Sequence, residues 1–464
     1  MLRHIFEKEL KDCLYGYRSL ILFVLSTALF LVAVYAGTRE YRTALQEFRL
    51  ADVTLRRHLA SETNLYALAN FGFSLVKPPQ VLSVLVSGVE PHAPRVYNFG
   101  LYALPQPQGS LASENPTLAV FGALDLSFIV QVVLGLAALL FTFSAICGEK
   151  ELGTLKLQLA NAVPKDVLLI GKMAGNLAGL LTPVILAFLL ACLGFLNFRD
   201  APLGGAEILR IALLGVAFAL YLTVLFALGL CISTFTTRST TSFALCLVAW
   251  VLLVGILPKF AVLAATRLAP TESLQEFELK KLQIHRRGSL DAQTEFNKYI
   301  EEHEGRMPSL ELYEKSSARV RDWQNQELRK LEEHYLQQRE RQAKVALMLS
   351  RVSPAGSASY AAMSLAGTGL ERDLRFRAAL REYRSQFTAY YDRKSHELVE
   401  ITTQKQIPNT MVEQDFTDMP FLSFKEQSLD SALDAALPDL GSLAVWALAL
   451  FAIAYFRFLR YDVR

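Results

Sequence analysis

The chain has 464 residues, of which 52% are hydrophobic, with a mean hydropathy of +0.28 and a formal net charge of only +3. This charge is too small to indicate nucleic-acid binding, whereas the long apolar stretches are typical of membrane spans. The cysteines exclude a disulfide-stapled secreted module, because all of them lie in or beside apolar stretches. They are Cys13, Cys147, Cys192, Cys231 and Cys246.

Residues 1–18 have the pattern of an amphipathic helix. Its polar face carries Lys8, Glu9, Lys11 and Asp12. The apolar face is formed by Leu2, Ile5, Phe6, Leu10, Cys13, Leu14 and Tyr17. Such a helix is suited to lie in the membrane interface before the chain enters the first span.

Six segments are long and apolar enough to cross a bilayer, which takes about 20 residues of helix. They are residues 19–37, 118–147, 167–198, 208–235, 241–268 and 435–458. The first is predicted to be an uncleaved anchor, since no small-residue cleavage pattern follows it. The predicted fold is an all-α polytopic membrane protein with six transmembrane helices, a mixed external segment and a helical external hairpin or bundle.

The short connections between spans set the orientation. Basic residues concentrate in residues 1–18, in the connection 148–166, at Arg238 and in the tail 459–464. The positive-inside rule therefore places both termini in the cytoplasm. The two long polar segments, residues 38–117 and 269–434, must then lie outside.

The first polar segment is predicted to continue the helix of span one to about Ser61, before prolines break regular structure. The second is helical and has two apolar seams. These seams consist of Val320, Trp323, Leu328, Leu331 and Tyr335, and of Phe376, Leu380, Tyr383, Phe387 and Tyr390. Two antiparallel helices packed on these seams would form the external hairpin.

The connection between spans two and three is short and charged. It reads Gly148-Glu149-Lys150-Glu151-Leu152-Gly153-Thr154-Leu155-Lys156 and reaches Pro164-Lys165. Leu152, Leu155, Leu159 and Val163 recur at helical spacing, so a short helix is predicted at the membrane surface. It could present its three charged residues to a soluble partner, with Gly153 allowing two backbones to approach closely. The alternative is a membrane-proximal loop that only satisfies helix ends.

The order of these elements resembles the type-2 family of ABC exporter permeases. The resemblance covers the whole chain and rests mainly on the Glu-x-Glu-x-Gly-Thr-Leu stretch, with support from Lys77-Pro78-Pro79-Gln80, Gly88-Val89-Glu90 and Leu365-Ala366-Gly367-Thr368-Gly369. It implies that the connection is a coupling helix that docks on an ATPase. The implied coupling residues are Glu149, Lys150, Glu151, Gly153, Thr154, Leu155, Pro164 and Lys165.

The sequence contains no phosphate loop, because Gly171-Lys172 is followed by Met173 and lacks the first glycine in place. The chain is therefore predicted not to be an enzyme, and to hold no catalytic, cofactor or metal-binding residues. ATP and magnesium would be bound by a partner ATPase in trans. His396-Glu397 lacks the second histidine of a metalloprotease motif and indicates a solvated helix face.

Two residues near or within the spans have a structural and a functional interpretation. Asp125 is either a helix N-terminal acid, which the residue pattern favours, or a substrate or gating contact. Pro183 either kinks the third span as a gate or is a tolerated structural proline. Gly171, Gly175 and Gly179 form a small-residue ridge for close helix packing, within the subunit or at a dimer seam.

The leading hypothesis is the permease subunit of an ATP-driven exporter in the bacterial inner membrane. Its implied partners are ABC ATPase subunits, a second permease copy or paralogue, membrane lipid and an external protein. The alternative is a mechanotransmission subunit that moves its external helices against an external partner and carries nothing through its spans.

Overall fold

The computed structural model describes residues 1–65, 67–68, 73–100, 106–108, 124–160, 164–196, 203–304, 310–405, 412 and 414–460. Within them, six helices are long and apolar enough to cross a membrane. These are α2 (Tyr17–Ser61), α3 (Leu126–Glu151), α5 (Lys165–Leu196), α6 (Gly205–Phe235), α7 (Ser239–Leu268) and α12 (Leu429–Leu459). The predicted all-α polytopic class is confirmed. Residues 118–123 of the predicted second span lie outside the described residues.

The remaining elements are shorter helices, the helices of the polar segments and one small sheet. The helices are α1 (Leu2–Leu14), α4 (Thr154–Ala160), α8 (Leu274–Glu302), α9 (Leu310–Ser350), α10 (Pro354–Ala366) and α11 (Leu370–Lys405). The strands β1 (Phe73–Val76), β2 (Val96–Phe99) and β3 (Gln106–Gln108) form an antiparallel sheet in that order. The second half of α2 continues into the first polar segment, as its sequence predicts.

The helix α6 lies at the centre of the bundle and packs against α3, α10 and α12. The small residues of α10, including Ala358 and Ala362, allow this short helix from the second polar segment to enter the apolar core. Ser353 caps α10 by accepting from Gly356 N, and its hydroxyl donates to the Leu253 carbonyl at 2.5 Å. Leu253 lies in a π-helical turn of α7. α10 is thus bound to α7 through its N-cap residue.

The glycine ridge of α5 packs against α1 within the subunit. A Cβ atom at Gly171 would lie 2.8 Å from Ile5, and one at Gly175 would lie 2.7 Å from Glu9. A Cβ at Gly179 would overlap the Cys13 sulfur. The ridge therefore lets the amphipathic helix α1 lie directly on α5. This surface of α5 is a contact within the subunit and not a dimer seam.

The second polar segment contains a helical hairpin formed by α8 and α9. The predicted hairpin paired α9 with α11, because these two helices carry the apolar seams. α8 and α9 run antiparallel, with Phe277 stacked on Tyr335 at 4.4 Å between ring centroids. The seam of α11 packs instead on the sheet of the first polar segment, where Tyr383 and Phe387 contact Phe99. The predicted pairing of the two seams is wrong because aromatic strand residues cover the α11 seam.

The two polar segments meet at a buried ionic cluster around Arg372, which is 2% exposed. Its guanidinium donates to Glu90 at 2.5 Å, to both carboxylate oxygens of Glu426 at 2.5 and 3.0 Å, and to the Pro78 carbonyl at 2.7 Å. Burial alone would raise the pKa of Glu90, but Arg372 and Lys77 outweigh it and hold this pKa below its ordinary value. The cluster brings together two motifs that are distant in sequence.

Candidate coupling site in the 148–166 connection

The connection lies at the end of the bundle opposite the polar segments. There it meets α1, the link between α6 and α7 and the end of α12. α3 ends at Glu151, and Gly153 follows with a φ of +72°, after which α4 begins at Thr154. A Cβ at Gly153 would meet no described atom within 4 Å. The left-handed backbone favours glycine here, and among the described residues no second backbone comes close to Gly153.

Lys172 of α5 joins the connection to α1. The residue is 5% exposed, and its ammonium group pairs with Glu149 and, at 3.2 Å, with Glu9. Asn176, one turn further along α5, donates to the other oxygen of Glu9 at 3.1 Å. Glu149 is thus held inside the subunit, between the last turn of α3 and the two helices that the glycine ridge brings together.

Lys150 and Glu151 bind the two ends of the link between α6 and α7. The Lys150 ammonium donates to the carbonyls of Thr234 at 2.5 Å and Thr236 at 3.1 Å, where it satisfies groups at the C-terminus of α6. The Glu151 carboxylate accepts from the backbone N–H of Ser239 at 2.9 Å and from its hydroxyl at 2.8 Å. It therefore complements the positive N-terminus of α7.

Leu155 anchors the short helix α4. It is 1% exposed and packs in a small apolar cluster with Leu168, Leu230 and Phe458. Thr154 donates to the Glu149 carbonyl at 3.4 Å, and Lys165 donates to the Leu459 carbonyl at 3.4 Å. Pro164 is exposed just before α5 begins. The described residues of this connection therefore contact α3, α5, α6, α7 and α12.

Two leucines of the connection are exposed. Leu152 is 79% exposed and Leu157 is 70% exposed, with the exposed Lys156 between them in sequence. The helical spacing of the sequence predicts that Leu152 lies on the same apolar face as Leu155. Gly153 interrupts that helix, and this break is the signal that separates the two leucines. The side chains of Leu159 and Val163 lie outside the described residues.

The other two predicted site residues lie far from the connection. Asp125 is the N-cap of α3: one oxygen accepts from Phe128 N at 2.8 Å, and the other accepts from the backbone N–H and hydroxyl of Ser87, both at 2.9 Å. This geometry fits the helix-capping interpretation. Pro183 is buried within α5, which continues as one helix from Lys165 to Leu196.

Comparison with known proteins gives one family. The model of the ABC-2 family transporter protein matches residues 3–463. No curated protein matches the chain.

Proposed function

The chain belongs to the ABC-2 transporter family and is the permease subunit of an ABC transporter, and we infer that it works as an exporter coupled through the 148–166 connection. The family pairs such a membrane subunit with an ABC ATPase. We assign export of an unidentified cargo from the cytoplasm or the membrane. In the predicted orientation, the connection faces the cytoplasm, where that ATPase would dock.

The arrangement of charges in the connection is the observation that supports this coupling role most strongly. Glu149 binds Lys172 of α5, Lys150 binds the end of α6, and Glu151 binds the start of α7. A push on the connection would therefore reach three spans through short polar contacts. Glu149, Lys150 and Glu151 would anchor the connection to the other helices, and the ATPase would be met by Leu152 and Leu157.

Apolar residues that are 70–79% exposed on a short, well-anchored element are typical of a docking contact. Leu152 and Leu157 would enter a groove of the ATPase, while Lys156 would contact an acidic group at its rim. This assignment differs from the one that the sequence implied, in which the acids themselves met the partner.

The test is ATPase activity of the reconstituted complex with the double variant Leu152→Asp/Leu157→Asp. Two buried carboxylates at the interface should lower stimulation of the ATPase by the permease at least about tenfold. The matched control is Leu290→Asp on α8, which places the same change on a leucine that is 52% exposed in a polar segment. Full stimulation by the double variant, with normal insertion, would overturn the assigned docking contact.

Two permease subunits, identical or paralogous, would enclose the path. The most apolar part of α7 is only 11% buried within this chain, against 56% for α6, although both are strongly apolar. This leaves α7 free to contact lipid or a second subunit. Cross-linking between cysteines introduced along α7 of two copies would test this arrangement.

A mechanotransmission role has its own support. α9 has 41 residues and is therefore about 60 Å long, and it leads directly into the bundle. Just after it, Arg351 pairs with Asp439 of α12 at 2.7 Å, and Asp439 is 1% exposed. Movement of α12 would therefore be passed to the hairpin and to an external partner. Transport of labelled cargo into vesicles by the purified complex separates the two functions.

A further inference from the structure

A second buried cation lies where the polar segments join the bundle. Arg210, in the second turn of α6, is 4% exposed and donates from Nη2 to the backbone carbonyl of Gln427. Among the described residues, no carboxylate lies within ion-pair distance of Arg210, and its buried Nε has no acceptor. A buried guanidinium without a counter-charge is costly, so this arrangement calls for an acceptor of negative charge.

The acids nearest to Arg210 are already engaged elsewhere. Glu426 gives both oxygens to Arg372, and Glu207 accepts from the backbone N–H of Gly204 at 2.9 Å. Their charges act on Arg210 from a distance, together with the opposing charge of Arg375. The neighbourhood therefore holds more donors than these two carboxylates satisfy.

Two further buried donors near Arg210 are unpaired. Gln427, which is 8% exposed, has no acceptor for its side-chain N–H₂ group within the described chain, and neither does Nη2 of Arg375. Gln427 also directly precedes the N-cap of α12. Two guanidinium groups and one amide with unpaired donors make this region complementary to an anion.

Gly367 limits the space for that anion on one side of the Arg210 guanidinium. A Cβ atom at Gly367 would lie 3.2 Å from Nη1 of Arg210 and 2.8 Å from the side-chain nitrogen of Gln80. The backbone of Gly367 thus closes the Nη1 side of the guanidinium. The free Nε edge suits a compact oxyanion, because the planar guanidinium matches the geometry of phosphate oxygens.

We propose that Arg210, with Gln427 and Arg375, binds an oxyanion of the phosphate class at this end of the bundle. The anion is either free or part of a lipid headgroup, and both have the same tetrahedral oxygens. The site lies at the opposite end of the spans from the 148–166 connection. It goes beyond the proposed coupling role, and either assignment can fail without the other.

Two arms of one experiment distinguish the sources. The full chain is placed in nanodiscs of digalactosyldiacylglycerol, which contains no phosphate, and titrated with radiolabelled inorganic phosphate. In the second arm the nanodiscs contain dioleoylphosphatidylglycerol, and native mass spectrometry counts phospholipid retained by the released protein. The variants are Arg210→Gln, Arg210→Lys and the control Arg381→Gln, which changes an exposed arginine of α11.

Saturable phosphate binding that weakens at least about tenfold in Arg210→Gln, partly returns in Arg210→Lys and persists in Arg381→Gln supports a free anion. A retained phospholipid that shows the same variant pattern supports a headgroup. Wild-type protein that retains neither probe overturns the proposal, as does equal binding by Arg210→Gln. If Arg210→Gln does not fold, Gln427→Leu takes its place: weaker binding supports the site, and unchanged binding overturns it.

Discussion

Replacing Lys172 with methionine would remove the cation that joins the connection to α1 and α5. Lys172 pairs with Glu149 and Glu9, whose side chains are 22% and 19% exposed. Breaking a fully buried ion pair costs about 3–5 kcal/mol. Because water partly screens both carboxylates, we expect Lys172→Met to lower the free energy of unfolding by about 2–3 kcal/mol.

The cost should arise from the two carboxylates that lose their partner, because methionine retains most of the apolar volume of lysine. A triple variant, Lys172→Met with Glu149→Gln and Glu9→Gln, removes those charges. It should therefore recover more than half of the lost stability. Each glutamine alone in the Lys172→Met background should recover a part of it.

The assay uses the native cysteines as reporters of unfolding. Cys147 is fully buried, and Cys192, Cys231 and Cys246 are at most 8% exposed, so a thiol-reactive dye labels them mainly after the bundle opens. Labelling is followed against temperature for purified protein in detergent. A Lys172→Met protein with wild-type stability would refute the role of the buried pair. A triple variant no more stable than Lys172→Met would place the cost in packing.

Substitutions at three further positions test the connection, the α1 contact and the ionic cluster. The φ of +72° at Gly153 predicts that Gly153→Val lowers ATPase stimulation several-fold, whereas Gly153→Asn largely retains it. Gly179→Val should displace α1 and raise the rate at which Cys13 reacts with a maleimide, while insertion is unchanged. The lowered pKa of Glu90 means that its contribution to stability is present above about pH 4.3 and is lost as the pH falls through the folded-state pKa. The melting temperature of the wild type should therefore fall more steeply than that of Glu90→Gln below about pH 4.

The spans could be predicted from sequence because the bilayer sets a minimum apolar length that does not depend on tertiary contacts. The packing of the spans against one another could not be predicted in this way. The most apolar windows of α6 and α7 have mean hydropathies of 2.6 and 2.4, yet they are 56% and 11% buried. Lipid and protein core are similarly apolar, so hydropathy does not separate a central helix from a peripheral one.

The connection could be found from the sequence, but the bonds of its charged residues to other helices of this chain could not. A charge next to a helix end can face solvent or bind the end of another helix, and the spacing is the same in both cases. The partners of Lys150 and Glu151 are 84 to 88 residues away in sequence. The left-handed turn at Gly153 then decides which leucine is buried, and glycine alone in the sequence only suggests such a turn.

The partner of the α11 seam could not be predicted from the sequence either. Its heptad spacing identified the buried face but not the sheet that covers it. That sheet follows α2, and α11 follows α10, which packs between α6 and α12 in the bundle. The polar segments are therefore joined to the spans at both places, so a change in the spacing of α6 and α12 must move them. Such movement during ATP hydrolysis is expected for an exporter as well as for a mechanotransmission subunit, and only passage of cargo distinguishes the two.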